Sequence, residues 1–121
     1  MRLIHAGGSV TLRLAGYGRG DKLQQPRPAR LSGAGNRIEY RRAGLTEWYV
    51  NDTLGLEQGF KLAGRPADPH GEPLVIALDL AGGLRPKRQS LDEVVLLDSA
   101  DHAVLRYGDL KAWDSKGRRL E

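Results

Sequence analysis

The chain has 121 residues, no cysteine and a formal net charge of +4. That length fits a single domain with one core, and the lack of cysteine excludes disulfides, thiolate metal sites and a cysteine nucleophile. Acidic residues are interleaved with basic ones along the whole chain, so the positive balance describes a mixed-charge surface rather than a specific nucleic-acid face.

Only 40% of residues are hydrophobic and 6% aromatic, which leaves the core to Leu, Val and Ile. Sixteen glycines and six prolines punctuate the chain, a spacing that favours short strands and tight turns over long helices. No apolar run approaches the length of a membrane span. The opening Met-Arg-Leu-Ile-His-Ala is too short and polar for a signal peptide.

Residues 9–14 alternate, with Val10, Leu12 and Leu14 inward and Thr11 and Arg13 outward, as in a half-buried strand. The cluster Gly16-Tyr17-Gly18-Arg19-Gly20-Asp21 is expected to end that strand. No Gly-Lys-Ser/Thr follows it, so it is not a phosphate loop, and Arg19-Gly20-Asp21 reads as a plain turn. Pro26 and Pro28 make residues 22–35 an extended connection or short edge segment.

Residues 36–62 hold Trp48, Tyr40, Tyr49 and the single Phe, Phe60. They read as two or three consecutive strands, with Ile38 and Tyr40 set against Trp48, Val50 or Leu45. Gly59 before Phe60 suggests a bulge or a close backbone approach. Residues 64–73 are a loop and residues 74–80 a strand, with Leu74, Ile76, Leu78 and Leu80 facing in.

Over residues 84–97 helix and strand compete. Ser90 and Glu93 have capping-box spacing, but the Val94-Val95 pair and the turn chemistry of Asp98-Ser99-Ala100-Asp101 favour a hairpin of residues 94–97 with 104–107. Residues 110–113 form a last strand before an Asp114-Ser115-Lys116-Gly117 turn, with a further strand starting at Arg118. Seven to nine short strands at this spacing predict an all-β fold, an antiparallel β-sandwich with little or no helix.

The chemistry-bearing residues do not define a reaction. His5, His70 and His102 lie apart, without zinc spacing, and the serines lack a nucleophile-elbow context. Asn51 and Asp52 with Asp98 or Asp101 do not follow a calcium-loop pattern. Glu47 and Glu57 flank Trp48 and are the candidate ligand contacts, since a tryptophan beside a carboxylate is a common sugar-binding composition. The alternative reading makes them outward strand carboxylates. Trp48, Tyr49, Phe60, Tyr107 and Trp113 are the expected structural anchors, in a core or an interface. No catalytic residue, metal or cofactor is expected.

The segments Leu45-Thr-Glu-Trp-Tyr-Val-Asn-Asp and Leu54-Gly-Leu-Glu-Gln-Gly-Phe-Lys-Leu resemble the β-rich module that precedes propeller-type repeats (FG-GAP and seven-bladed β-propeller repeats) in large exported bacterial proteins. The resemblance continues through Pro73-Leu-Val-Ile-Ala-Leu-Asp-Leu, Gly82-Gly-Leu-Arg and Ala103-Val-Leu-Arg-Tyr-Gly-Asp-Leu-Lys-Ala-Trp-Asp. It implies an all-β sandwich from an exported, cell-surface or secreted parent, with an adjacent repeat or propeller domain or another protein as partner. It supplies no active site. The expected role is therefore a non-enzymatic structural or interaction module, and the alternative is a carbohydrate-binding module using an exposed Trp with a neighbouring Glu. An unpaired terminal strand also allows an edge-to-edge homodimer.

Overall fold

In the computed structural model the described residues are all except 1, 6, 7, 54, 67–69 and 121, with only the backbone of 2, 4 and 5. Leu54, the middle of the loop at 64–73, the His5 side chain and the ends of the chain thus lie outside them. The described residues contain thirteen strands and no helix: β1 (Arg2–His5), β2 (Gly8–Arg19), β3 (Lys22–Gln24), β4 (Arg30–Ala34), β5 (Arg37–Arg42), β6 (Leu45–Asp52), β7 (Gly55–Leu62), β8 (Leu74–Gly82), β9 (Arg85–Ser90), β10 (Glu93–Leu97), β11 (Ala103–Tyr107), β12 (Ala112–Trp113) and β13 (Arg119–Leu120). The expected all-β, antiparallel class is the one the chain adopts. The strands outnumber the seven to nine read from the sequence because several are only two to five residues long.

The chain forms two compact units, one of residues 14–78 and one of residues 1–13 with 79–121. In the first, β4-β5-β6-β7 is a meander, held in register by Ile38↔Tyr49, Tyr40↔Glu47 and Glu47↔Phe60. Its inner face supplies Leu45, Phe60 and Leu62, which pack with Leu14 and Tyr17 of β2 and with Ile76 and Leu78 of β8. Two layers of antiparallel strands thereby share one apolar cluster. In the second unit, Val10, Leu84 and Leu96 are buried together, with Leu3, Val94, Val104 and Leu105 packed around them.

Three expectations are corrected. The strand begun at residue 9 does not stop at Gly16 but runs to Arg19, with Gly16, Tyr17 and Gly18 buried. Glycine permits this: a Cβ on Gly18 would overlap the Lys22 carbonyl of β3, and one on Gly16 would stand 3.0 Å from the Gln24 carbonyl oxygen. The turn falls at Gly20-Asp21, with Gly20 at φ 56°. Second, β9 was not foreseen. It pairs with β10, Pro86 opposite Leu96 and Lys87 opposite Val95, and is exposed throughout. Pro86 removes one ladder donor, which an edge strand tolerates, and Lys87 and Arg88 guard that edge. Third, Leu74 and Leu80 are 41% and 38% exposed, so only the middle of β8 faces a core.

Residues 94–97 and 104–107 do form a hairpin, β10 with β11, so β-branched Val94 and Val95 prevail over the capping-box spacing. Its loop and the β12–β13 loop are the same device. The Asp98 Oδ1 accepts from the amides of Ala100 and His102, and the Asp114 Oδ1 from those of Lys116 and Arg118, each at 2.9 Å. The fourth residue of each loop is left-handed, Asp101 at φ 64° and Gly117 at φ 76°. These backbone donors, led by that of Arg118, hold the Asp114 carboxyl below its ordinary 3.8.

A group depressed in this way stabilises its turn above its unfolded-state pKa, and that contribution is lost as pH falls through the folded-state value. The Lys116 and Arg118 amide proton shifts are expected to move together in an NMR acid titration, with a midpoint below 3.8. In Asp114→Asn the titration should vanish while the turn remains. A midpoint at or above 3.8 would contradict the turn geometry.

Candidate functional site

The β4–β7 sheet carries the residues that the sequence singled out, and its two faces differ. Alternation along β6 sends Leu45, Glu47 and Tyr49 inward, 1%, 3% and 1% exposed, and leaves Thr46, Trp48 and Val50 on the outer face, partly exposed.

The inner face holds a polar network inside an apolar layer. Arg42 donates through Nη1 to Glu47 Oε1 at 2.7 Å, and the Tyr49 hydroxyl donates to Glu47 Oε2. Gln58 Nε2 in turn donates to the Tyr49 hydroxyl at 2.9 Å. Tyr40 meets Tyr49 edge-on, 5.9 Å between centroids, and the Arg42 guanidinium lies 5.8 Å from the Tyr40 ring. Burial, together with the Glu47 carboxylate, raises the Tyr49 phenol well above its ordinary 10.0. Both Glu47 oxygens are thus engaged by side chains on the same sheet. Glu47 is neither an outward strand carboxylate nor a ligand contact open to solvent.

The outer face is polar and ordered in cross-strand rows. One row is Arg30, Arg41, Thr46 and Lys61, and the next is Ser32, Glu39, Trp48 and Gly59. Glu39 receives Arg41 Nε on Oε1 and Arg37 Nε on Oε2, both at 2.9 Å. Those two bonds, Arg41 first, hold its carboxyl below the ordinary 4.5. Arg37, Glu39, Arg41, Thr46, Trp48 and Lys61 line an open depression on this face.

Trp48, expected as an anchor in a core or an interface, lies on this outer face. Its indole covers Gly59, where an added Cβ would overlap the ring, and the Arg37 guanidinium sits 4.6 Å over the ring centroid. A sugar stacked on Trp48 would compete with Arg37 for the ring. Glu57, opposite Val50, shares the outer face, so Glu47 and Glu57 point to opposite sides of the sheet and do not converge.

Of the other expected anchors, Tyr49 is buried and Phe60 is half-buried against the Leu14–Tyr17–Leu45 cluster. Tyr107 and Trp113 are 42% and 58% exposed and belong to the surface. His102 is a turn residue, 3.7 Å from Asp98. Among the described residues no group of three or more His, Asp or Glu side chains is gathered as for a metal ion, and no helix is long and apolar enough to cross a membrane. The Arg42–Glu47–Tyr49 network escaped sequence reasoning, although Leu45, Glu47 and Tyr49 share one strand parity. Comparison with known proteins adds nothing to this geometry: no protein-family model, curated protein or solved structure matches the chain.

The Trp48–Gly59 contact makes a specific prediction. Gly59→Ala should destabilise by about 1–3 kcal/mol, as overpacking does, and the penalty should largely disappear in a Trp48→Ala background. Chemical denaturation of the four variants in the cycle measures this, and additive effects would place the indole elsewhere.

Proposed function

We propose that the chain is a non-enzymatic interaction module of a larger exported protein, and that its C-terminal hairpin is the docking element. The observation that carries this reading is the exposure of Leu110, Trp113 and Leu120, at 82%, 58% and 52%, on and beside the two-stranded β12–β13 hairpin. A two-stranded hairpin is at best marginally stable in water, and this one carries a large apolar side chain on each face, Trp113 level with Arg119 and Leu120 level with Ala112, as suits an element covered by a partner. The occupant proposed is an adjacent repeat or propeller domain of the same polypeptide, in keeping with the resemblance of residues 45–52, 73–80 and 103–114. The exported setting rests on that resemblance as well.

The alternative, a carbohydrate-binding module, draws on the open depression beside Trp48. It is the weaker reading because Arg37 already lies over the ring.

A Trp48→Phe background leaves Trp113 as the single tryptophan. Its emission should be red-shifted and readily quenched by iodide in the 121-residue chain. In a polypeptide that also carries the adjacent domain, quenching should fall several-fold. Equal quenching in both would overturn the docking role. In a Trp113→Phe background, which leaves Trp48 as the single tryptophan, a shift in emission on adding oligosaccharides would instead favour the glycan reading.

A further inference from the structure

A second open depression lies within residues 14–78, lined by Tyr17, Gln24, Arg27, Ala43, Gly44, Gly64, Arg65 and Pro66. These residues come from β2, β3, the segment before β4, the β5–β6 turn and the stretch after β7. We propose that this depression is a binding site for an oxyanion, the carboxylate or phosphate group of a small ligand.

Tyr17 is the first reason. It is only 5% exposed, with its ring in the Leu14–Leu45 cluster. Its hydroxyl stands beside the β5–β6 turn, 3.2 Å from where a Gly44 Cβ would be. Among the described residues that hydroxyl has no hydrogen-bond partner. The hydroxyl is not among the buried polar atoms left without a partner: the ring is packed in the cluster while its polar end opens on the depression, free to donate to a ligand.

The charge of the lining is the second reason. Two arginines, Arg27 and Arg65, line the depression, and among the described residues no carboxylate does. Neither arginine is engaged in an ion pair or hydrogen bond among the described residues. Of the other five arginines in this unit, four are partnered, Arg37 and Arg41 with Glu39, Arg42 with Glu47 and Arg19 with the Glu72 carbonyl, and only Arg30, on exposed β4, has no such partner among the described residues. A guanidinium fork suits the planar or tetrahedral oxygens of a carboxylate or phosphate. A phenol hydroxyl and the Gln24 amide supply further donors.

Glycine completes the shape. Gly64 has open space where a Cβ would be, and Gly44 is held at φ +89° directly beside the hydroxyl. Both leave backbone accessible at the rim, where a larger side chain on Gly44 would crowd the phenol.

The site lies in residues 14–78 and the docking hairpin in the other unit, so either reading can fail without the other. The probes are inorganic phosphate and glucuronate, with glucose as the neutral control, titrated at constant ionic strength and followed by amide chemical shifts. Saturable shifts centred on Gln24, Gly44, Gly64 and Arg65 are expected with phosphate, glucuronate or both, and none with glucose. The tighter probe identifies the source of the oxyanion. Arg27→Gln with Arg65→Gln should weaken binding by more than about tenfold, as expected when charged hydrogen bonds are lost. Tyr17→Phe keeps the buried ring and should weaken binding by about three- to tenfold. Thermal melts of the variants verify that each remains folded. Failure of both anions to give a saturable shift, or undiminished binding by the folded double arginine variant, would overturn the proposal.

Discussion

The buried carboxylate of Glu47 is the constraint on which the β4–β7 sheet depends. It sits at 3% exposure on an inner face whose apolar neighbours include Leu45, Phe60 and Leu62. An ionised group so placed is costly unless paired and hydrogen-bonded. Arg42 from β5, Tyr49 from β6 and, through Tyr49, Gln58 from β7 meet this requirement. The network therefore joins three consecutive strands and is compatible with one register. A shift of a single residue would turn Glu47 to solvent and Trp48 into the apolar cluster, leaving Arg42 without its partner.

The same alternation organises the outer face. With Glu47 committed inward, Trp48 must lie outside, and Gly59 on the neighbouring strand gives its indole a flat backbone surface to cover. Arg37 and Arg41 converge on Glu39, directly opposite Trp48 in the same row, so these three charges are held together along β5. Arg27 and Arg65, which have no ion pair among the described residues, line one depression together with Tyr17. What separates candidate site from scaffold in residues 14–78 is that these two arginines and a tyrosine from distant segments line one depression.

Much of the fold was legible because strand period and turn chemistry agreed. Val10, Leu12 and Leu14 alternate cleanly and are buried. Asp114 and Gly117 form the turn that their spacing implied. The β10–β11 hairpin follows from Val94 and Val95 meeting Asp98 loop chemistry. What was missed has equally specific causes. Weight given to aromatic size made anchors of both Trp48 and Tyr49, neighbours of opposite parity on β6, and left open which of Leu45, Trp48 and Val50 faces the core, although Leu45, Glu47 and Tyr49 are the buried set. The glycines at 16 and 18 read as a break but serve a close strand approach. The basic strand with Pro86 lacks any apolar pattern because it is an edge. The Tyr17 depression is assembled from distant turns and segments, each of which reads as plain connection, so no local motif announces it.

The account stands most directly on the coupling between Arg42 and Glu47, which a double-mutant cycle of Arg42→Ala and Glu47→Ala measures by urea denaturation. Each single change should cost about 3–5 kcal/mol, because it strands a buried polar partner. The double variant should cost less than their sum by roughly 1–3 kcal/mol. Single costs under about 1 kcal/mol, or effects that simply add, would mean that the network does not hold the sheet in register.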